Sequence, residues 1–203
     1  MALISPTSEL EAVNIMLSAI GESPVSTLDN PSLVDVSLAQ SILKETSIDI
    51  QSQGLHCNTE LNYPLVPNDD GEIIIPTNAA RIDTTETSSD VDVTQRGNRL
   101  YDRGERSYNS FTQTIRVEMV LLLEFEDLPQ HVRRYATVKA ARRFQARYVG
   151  SQTLGGFTTL DEQEALVQFE RSEKITEDSN ILSDNFDTYK IIARGSPRRS
   201  VRF

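Results

Sequence analysis

Hydrophobic residues change their spacing twice along this chain, and each change demands a change of secondary structure. Up to Gly54 apolar residues recur at three- and four-residue steps; from there to Leu128 they fall in short alternating or continuous runs; after Pro129 the helical spacing returns. The order is therefore helix, helix, β-rich stretch, helix, helix, tail. Such an order predicts an α+β fold: an antiparallel helical bundle formed by the N- and C-terminal segments, with a β-rich insertion and an extended C-terminal arm. The expected divisions are 1–54 and 129–180 for the two parts of the helical domain, 55–128 for the insertion and 181–203 for the arm.

Local signals fill in this outline. Leu10, Val13, Leu17 and Ile20 share one helical face, with Ser5 as the expected cap and Pro6 in the first turn. Gly21 supplies the helix stop and Pro24 forbids continuation. Asn30-Pro31 opens a second helix with Ala39, Ile42, Leu43, Thr46 and Ile50 inward, and the pair is expected to fold back as a hairpin. In the middle third, Asp69-Asp70-Gly71 reads as a tight turn feeding a strand from Glu72 to Ile75, closed by Pro76. Ala136, Ala140, Phe144 and Tyr148 then mark the inner face of a third helix ended by Gly150. Leu160 to Asp178 forms a fourth, with Ala165, Leu166 and Phe169 inward.

Charge is unevenly placed. The net charge of −10 argues against a general nucleic-acid binder, which gains affinity by neutralising phosphates. Yet Arg133, Arg134, Lys139, Arg142, Arg143 and Arg147 crowd the third helix without an acid, while Glu162, Glu164, Glu170, Glu173 and Glu177 follow on the fourth. The basic helix has two readings: it faces DNA, or it faces the acidic helix of its own or a neighbouring subunit, fixing register between copies of the chain. Past Ile181, apolar anchors spaced among polar residues fit either a strand packed on the chain's own core or an arm that orders on a partner protein.

Catalytic constellations are hard to find. His56 beside Cys57 would need two further ligands to hold zinc, and a cysteine with a histidine somewhere is too loose a criterion for a thiol nucleophile. Asp69, Asp70, Glu72, Asp90 and Asp92 offer carboxylate pairs, as a glycan hydrolase requires, although turns and solvated strand faces explain such clusters in a chain with 30 acids. The Leu154–Phe157 stretch lacks the lysine of a phosphate-binding loop. No cofactor is called for. The lone Cys57 precludes an internal disulfide and suits assembly in a reducing cytoplasm. No apolar run approaches the ~20 residues of a membrane span, and Met1-Ala2-Leu3-Ile4 leads into a capped helix rather than a signal sequence.

Four stretches taken in order, "LEAVNIMLSAIGESPVSTLD", "GEIIIPTNAARID", "RGNRLYDR" and "FEDLPQHVRRYATVKAARRFQARYVGS", resemble the tail tubular protein A family of short-tailed bacteriophages. The resemblance implies a non-enzymatic virion protein: a dodecameric ring that docks under the portal protein, joins it to the nozzle protein (tail tubular protein B) near the tail-fibre attachment, and lines the channel through which genomic DNA passes without specific binding. It implies a place in the virion tail and no membrane insertion. On that basis Phe186, Tyr189, Arg194, Arg198, Arg199 and Phe203 are expected to meet the portal. Arg134, Arg142, Arg143, Arg147, Glu164, Glu170 and Glu173 are expected between subunits, and the loops with Asp69, Asp70, Asp90 and Asp92 toward nozzle or fibres. The alternatives are a tail-associated glycan hydrolase using the paired carboxylates and a DNA-end-binding packaging factor using the basic helix.

Overall fold

A computed structural model describes residues 5–29, 34–85, 88, 90–148 and 159–176. It is a mixed α+β structure of four α-helices and two small antiparallel sheets. Its helices are α1 (Glu9–Ala19), α2 (Val34–Gln51), α3 (Gln130–Tyr148) and α4 (Thr159–Thr176). The strands are β1 (Thr59–Leu65), β2 (Ala79–Thr84), β3 (Val93–Arg96), β4 (Arg99–Asp102) and β5 (Ile115–Leu121), all between α2 and α3.

The cap of α1 is Ser8 rather than Ser5. Ser8 Oγ accepts from the Glu11 N–H at 3.2 Å, and the Glu11 carboxylate accepts from the Ser8 N–H at 2.9 Å. That reciprocal pair satisfies two amides which a lone serine cap would leave half served. Ala12, Val13, Met16 and Leu17 are buried, whereas Leu10 and Ile20 at the ends of the expected stripe are half-buried. Beyond the stop at Gly21, where φ is +84°, the chain is folded back by Asn14: its Nδ2 donates to the Val25 carbonyl at 3.0 Å and its Oδ1 accepts from the Val25 N–H at 2.7 Å. The expected inner face of α2 is buried as read, joined by Val36, Ser47 and Gln51. The expected Asn30-Pro31 start, the Leu154–Phe157 loop, Gly150, Glu177 and the arm at 181–203 lie outside the described residues.

Helix α3 is the centre of the helical layer, packed by α1, α2 and α4. Ala140, Ala141 and Phe144 join α1 and α2 in one apolar cluster with Met16, Leu17, Ile42 and Leu43. Val132, Tyr135 and Ala136 join Ile50, Leu128, Ala165 and Phe169 in a second. Tyr148, expected inward, is instead half exposed at the last turn.

A separate apolar cluster holds the β-rich stretch. The three-stranded sheet has the order β1-β5-β2, and β3-β4 form a hairpin closed by Gly97-Asn98, with Gly97 at φ +64°. Ile82, Val93, Leu100, Ile115, Val117 and Met119 from both sheets meet Ile73, Ile75 and Phe111 in that cluster. The Glu72–Ile75 segment alternates as expected, with Ile73 and Ile75 buried and Ile74 exposed. It forms no strand, however: a single bridge from Ile74 to Arg99 is all it achieves before Pro76. The turn before it does form, with Gly71 at φ +76° against the Asn109 carbonyl, where a Cβ would approach to 2.9 Å. β1 is an edge strand, bulged between Glu60 and Tyr63 where Asn62 has φ +57°.

Two buried amides fasten the β segment to the helices. Gln51 accepts from the Leu123 N–H at 2.7 Å and donates to the Leu123 carbonyl at 3.1 Å. Asn58 donates to the Leu121 carbonyl at 2.7 Å and the Gln51 carbonyl at 3.1 Å, and accepts from the Leu55 N–H at 2.8 Å. Polar side chains so enclosed are tolerated because their hydrogen bonds are made.

Candidate functional site

The basic helix spends most of its charge inside its own chain. Arg133 is buried: its Nε donates to the Leu128 carbonyl at 2.6 Å, one terminal nitrogen to the Thr7 carbonyl at 3.0 Å and Glu126 Oε2 at 3.1 Å, and the other to the Glu126 carbonyl. This guanidinium ties the start of α1 and the Phe125–Asp127 3₁₀ turn onto α3. Gln130 completes the tie, accepting from the Thr7 N–H at 2.7 Å.

Farther along α3, Arg142 pairs with Glu162 of α4, Arg143 with Asp49 at 2.8 Å, and Arg147 with both oxygens of Glu45 at 2.9 and 3.0 Å. The hydrogen bond from Arg147 holds the Glu45 carboxyl below its ordinary pKa. Lys139 lies 5.3 Å from the centre of the Tyr135 ring. Arg134 alone among these cations is exposed with no ion pair among the described residues. A duplex-binding helix needs free cations on one face. Here the arginines point to different neighbours.

On α4, Glu173 is buried. It accepts from the His56 N–H at 3.1 Å and is bonded to His131 Nε2, while His131 and Tyr135 lie beside Phe169, the Tyr135 ring stacked at 4.9 Å. Glu173, expected between subunits, therefore sits within the chain, holding α4 against α3 and the His56–Asn58 turn. Glu164 and Glu170 remain exposed. Burial, and then the Glu173 charge, raise the Cys57 pKa, which disfavours the thiolate a nucleophile needs. Among the described residues no three His, Cys, Asp or Glu gather into a group able to hold a metal.

The carboxylates of the hydrolase reading are scattered. Asp69 and Asp70 are exposed at their turn; Glu72 pairs with Arg99 at 2.8 Å; Asp92 pairs with Arg103 at 3.4 Å. Asp90 lines a cleft of about 160 Å³ whose other lining residues include Arg116 and no second acid. A larger groove of about 350 Å³ runs between α2 and the extended 122–125 segment, lined by Lys44, Ile48, Gln51, Asn78 and Phe125. On the β3–β4 hairpin, the Arg96 guanidinium lies 3.6 Å from the Tyr101 ring centre, and Tyr101 meets Tyr108 edge-on at 4.9 Å. The Arg99 guanidinium lies 4.5 Å from the Tyr108 centre. These stacked pairs stiffen the hairpin.

Sequence reasoning named Arg133 as one cation among six and missed the clamps made by Asn14, Gln51 and Asn58. A buried amide looks like any other polar residue until its backbone partner is known. Gln51 lies one turn past Ser47 on α2, and the burial of both emerges only from the structure.

Comparison with known proteins places this framework among the structural components of bacteriophage tails. A family model described as tail tubular protein matches residues 10–179. Tail tubular protein A of Klebsiella phage KP34 is 34% identical over 123 residues, covering 61% of this chain and 63% of that protein's length. The chain belongs to the tail tubular protein family. Structural proteins of this kind fit a part that works by assembly rather than by turnover, and no described helix is long and apolar enough to cross a membrane.

Proposed function

We propose that the chain is the ring-forming adaptor, or head-to-tail connector, that joins the portal protein to the nozzle protein, and that it acts without catalysis. The observation that carries this reading is the family match over residues 10–179, which spans all four helices and both sheets. In this reading a dodecameric ring closes the filled head and lines the DNA ejection channel. Assembly takes place in the host cytoplasm and needs no cofactor.

The portal is met by the arm, through Phe186, Tyr189, Arg194, Arg198, Arg199 and Phe203. The turns bearing Asp69, Asp70, Asp90 and Asp92 face the nozzle or the fibres near it. Twelve chains of net charge −10 make a strongly acidic object, and an acidic lumen repels phosphates so that the genome slides without specific binding. The in-chain pairing of Arg142, Arg143 and Arg147 supports this over a packaging factor that grips DNA ends.

Ending the chain after Asn180 tests the arm. The shortened protein should keep the helical signal of the full chain in circular dichroism and fail to co-sediment with cognate portal rings. Undiminished co-sedimentation would refute the arm assignment.

A further inference from the structure

The β3–β4 hairpin sets two arginines face to face. In its register Arg96 stands directly opposite Arg99 across the Gly97-Asn98 turn, and Thr94 stands opposite Tyr101. Side chains alternate across a strand, so these four share one face while Val93, Gln95, Leu100 and Asp102 share the other. Val93, Leu100 and Asp102 are buried, which makes the Arg96 face the outward one. Tyr108 joins that face through its ring contact with Tyr101, and Ile74, 52% exposed, joins it through the bridge to Arg99.

Like charges directly opposite one another destabilise a sheet. Glu72 relieves half of the conflict by pairing with Arg99 at 2.8 Å. Arg96 has no such relief: it is exposed, with neither an ion pair nor a hydrogen-bond acceptor among the described residues. Its guanidinium is nevertheless held in place, 3.6 Å from the Tyr101 ring centre. At that distance the group lies flat on the ring, because an N–H aimed at the ring would hold the central carbon farther off. Stacking therefore fixes the guanidinium while its in-plane fork, the part that matches a carboxylate, stays unused.

The surrounding charge narrows what that fork takes. Residues 55–128 carry 14 acids and six arginines, so a spare cation here is not one left over from neutralising neighbours. On the outward face, Glu72 is engaged by Arg99 and Asp92 by Arg103. A phosphate backbone, with a charge every ~1.7 Å, would be repelled by both carboxylates. A single side-chain carboxylate is not, and exposed tyrosine, arginine and isoleucine side by side are what the energetic centre of a protein interface is made from.

We propose that this face of the hairpin docks the nozzle protein, which seats one Asp or Glu side chain in the Arg96 fork and an apolar neighbour on Ile74 and Tyr101. This rests on the adaptor reading above and gives it a surface, on the segments that the Asp69-Asp70 and Asp90–Asp92 turns lead into. In that reading the nozzle is coaxial with the ring, so every copy of the chain offers it the same face.

Nozzle recovery on portal-bound rings is the test. The full chain with Arg96→Glu should form rings on cognate portals in undiminished yield and bind purified cognate nozzle protein about tenfold less tightly, or worse, in co-sedimentation. Its urea midpoint should hold, because pairing with Arg99 across the turn offsets the stacking lost. Arg96→Lys, which keeps the charge and loses the fork, should fall between. Arg96→Met should also flatten the salt dependence of nozzle binding, which a residue that only stiffens the hairpin would leave unchanged. Undiminished nozzle recovery with Arg96→Glu would overturn the proposal and leave the adaptor reading standing. A lowered ring yield would assign the face to a contact between copies, and loss of fibre attachment with the nozzle retained would assign it to the fibres; either overturns the proposal. If rings of the unmodified chain take up no nozzle protein, the adaptor reading fails and the proposal with it.

Discussion

Helices α3 and α4 differ by one residue in length and both are rich in charge, yet they stand in opposite relations to the rest of the molecule. α3 has neighbours on three sides, so even its arginines serve as internal fasteners. Among the described residues α4 packs along one side only, on α3 and the His56–Asn58 turn, and turns Leu160, Val167 and Ile175 outward. The count of charges along a helix says little about which face is free; the number of helices packed around it decides.

Removing an aromatic ring from the shared centre is the hardest test of this contrast. Phe144 is wholly buried between α1, α2 and α3, and Phe144→Ala should cost about 4 kcal/mol in urea unfolding. Val167→Glu, on the outer stripe, should cost within about 0.5 kcal/mol. Comparable losses at both sites would break the distinction between a packed and a one-sided helix.

Arginines sharpen the comparison within α3 itself. Arg133→Met leaves the carbonyls of Thr7, Glu126 and Leu128 without their shared donor and should cost about 3 kcal/mol. Arg134→Met, one residue on and exposed, should stay within about 0.5 kcal/mol. Equal effects would mean that Arg133 does not hold the α1 entry.

Smaller still is the effect of the exposed Arg147–Glu45 pair. Its contribution is present above the ordinary carboxylate pKa and is lost as pH falls through the lowered folded value, because protonation removes the acceptor of a charge-assisted bond. In a carboxylate NMR titration, Arg147→Met should return Glu45 toward its ordinary value, and added salt should do so in part. The Cys57 thiol, raised by burial and by Glu173, should alkylate more slowly at pH 8 than free cysteine. Faster reaction would show that the α4 contact opens readily.

Much of this was legible in the residues. Ala39, Ile42, Leu43 and Ile50, then Ala136, Ala140 and Phe144, then Ala165 and Phe169 repeat at helical spacing and are buried where that spacing puts them. The capping box of Ser8 and Glu11 was equally readable, and Ser5-Pro6 competed with it only because both offer a cap followed by a helix start. The Glu72–Ile75 segment has the alternation of a strand but joins β4 only through the Ile74–Arg99 bridge, which alternation cannot report.

Arg133 was illegible as a buried clamp because all but one of its partners are carbonyls, from Thr7, Glu126 and Leu128, which no side-chain pattern records. The outer stripe of α4 was hidden for another reason. With apolar residues on both sides of the helix, spacing alone does not say which side the chain keeps for itself.

The central claim, that this tail tubular protein is the adaptor beneath the portal, is tested most directly by electron microscopy of the full chain mixed with purified cognate portal rings. A second ring stacked on the portal, twelve-fold and absent when the protein is imaged alone at the same concentration, is the predicted result. Bare portal rings, with both proteins folded and in excess, would contradict it.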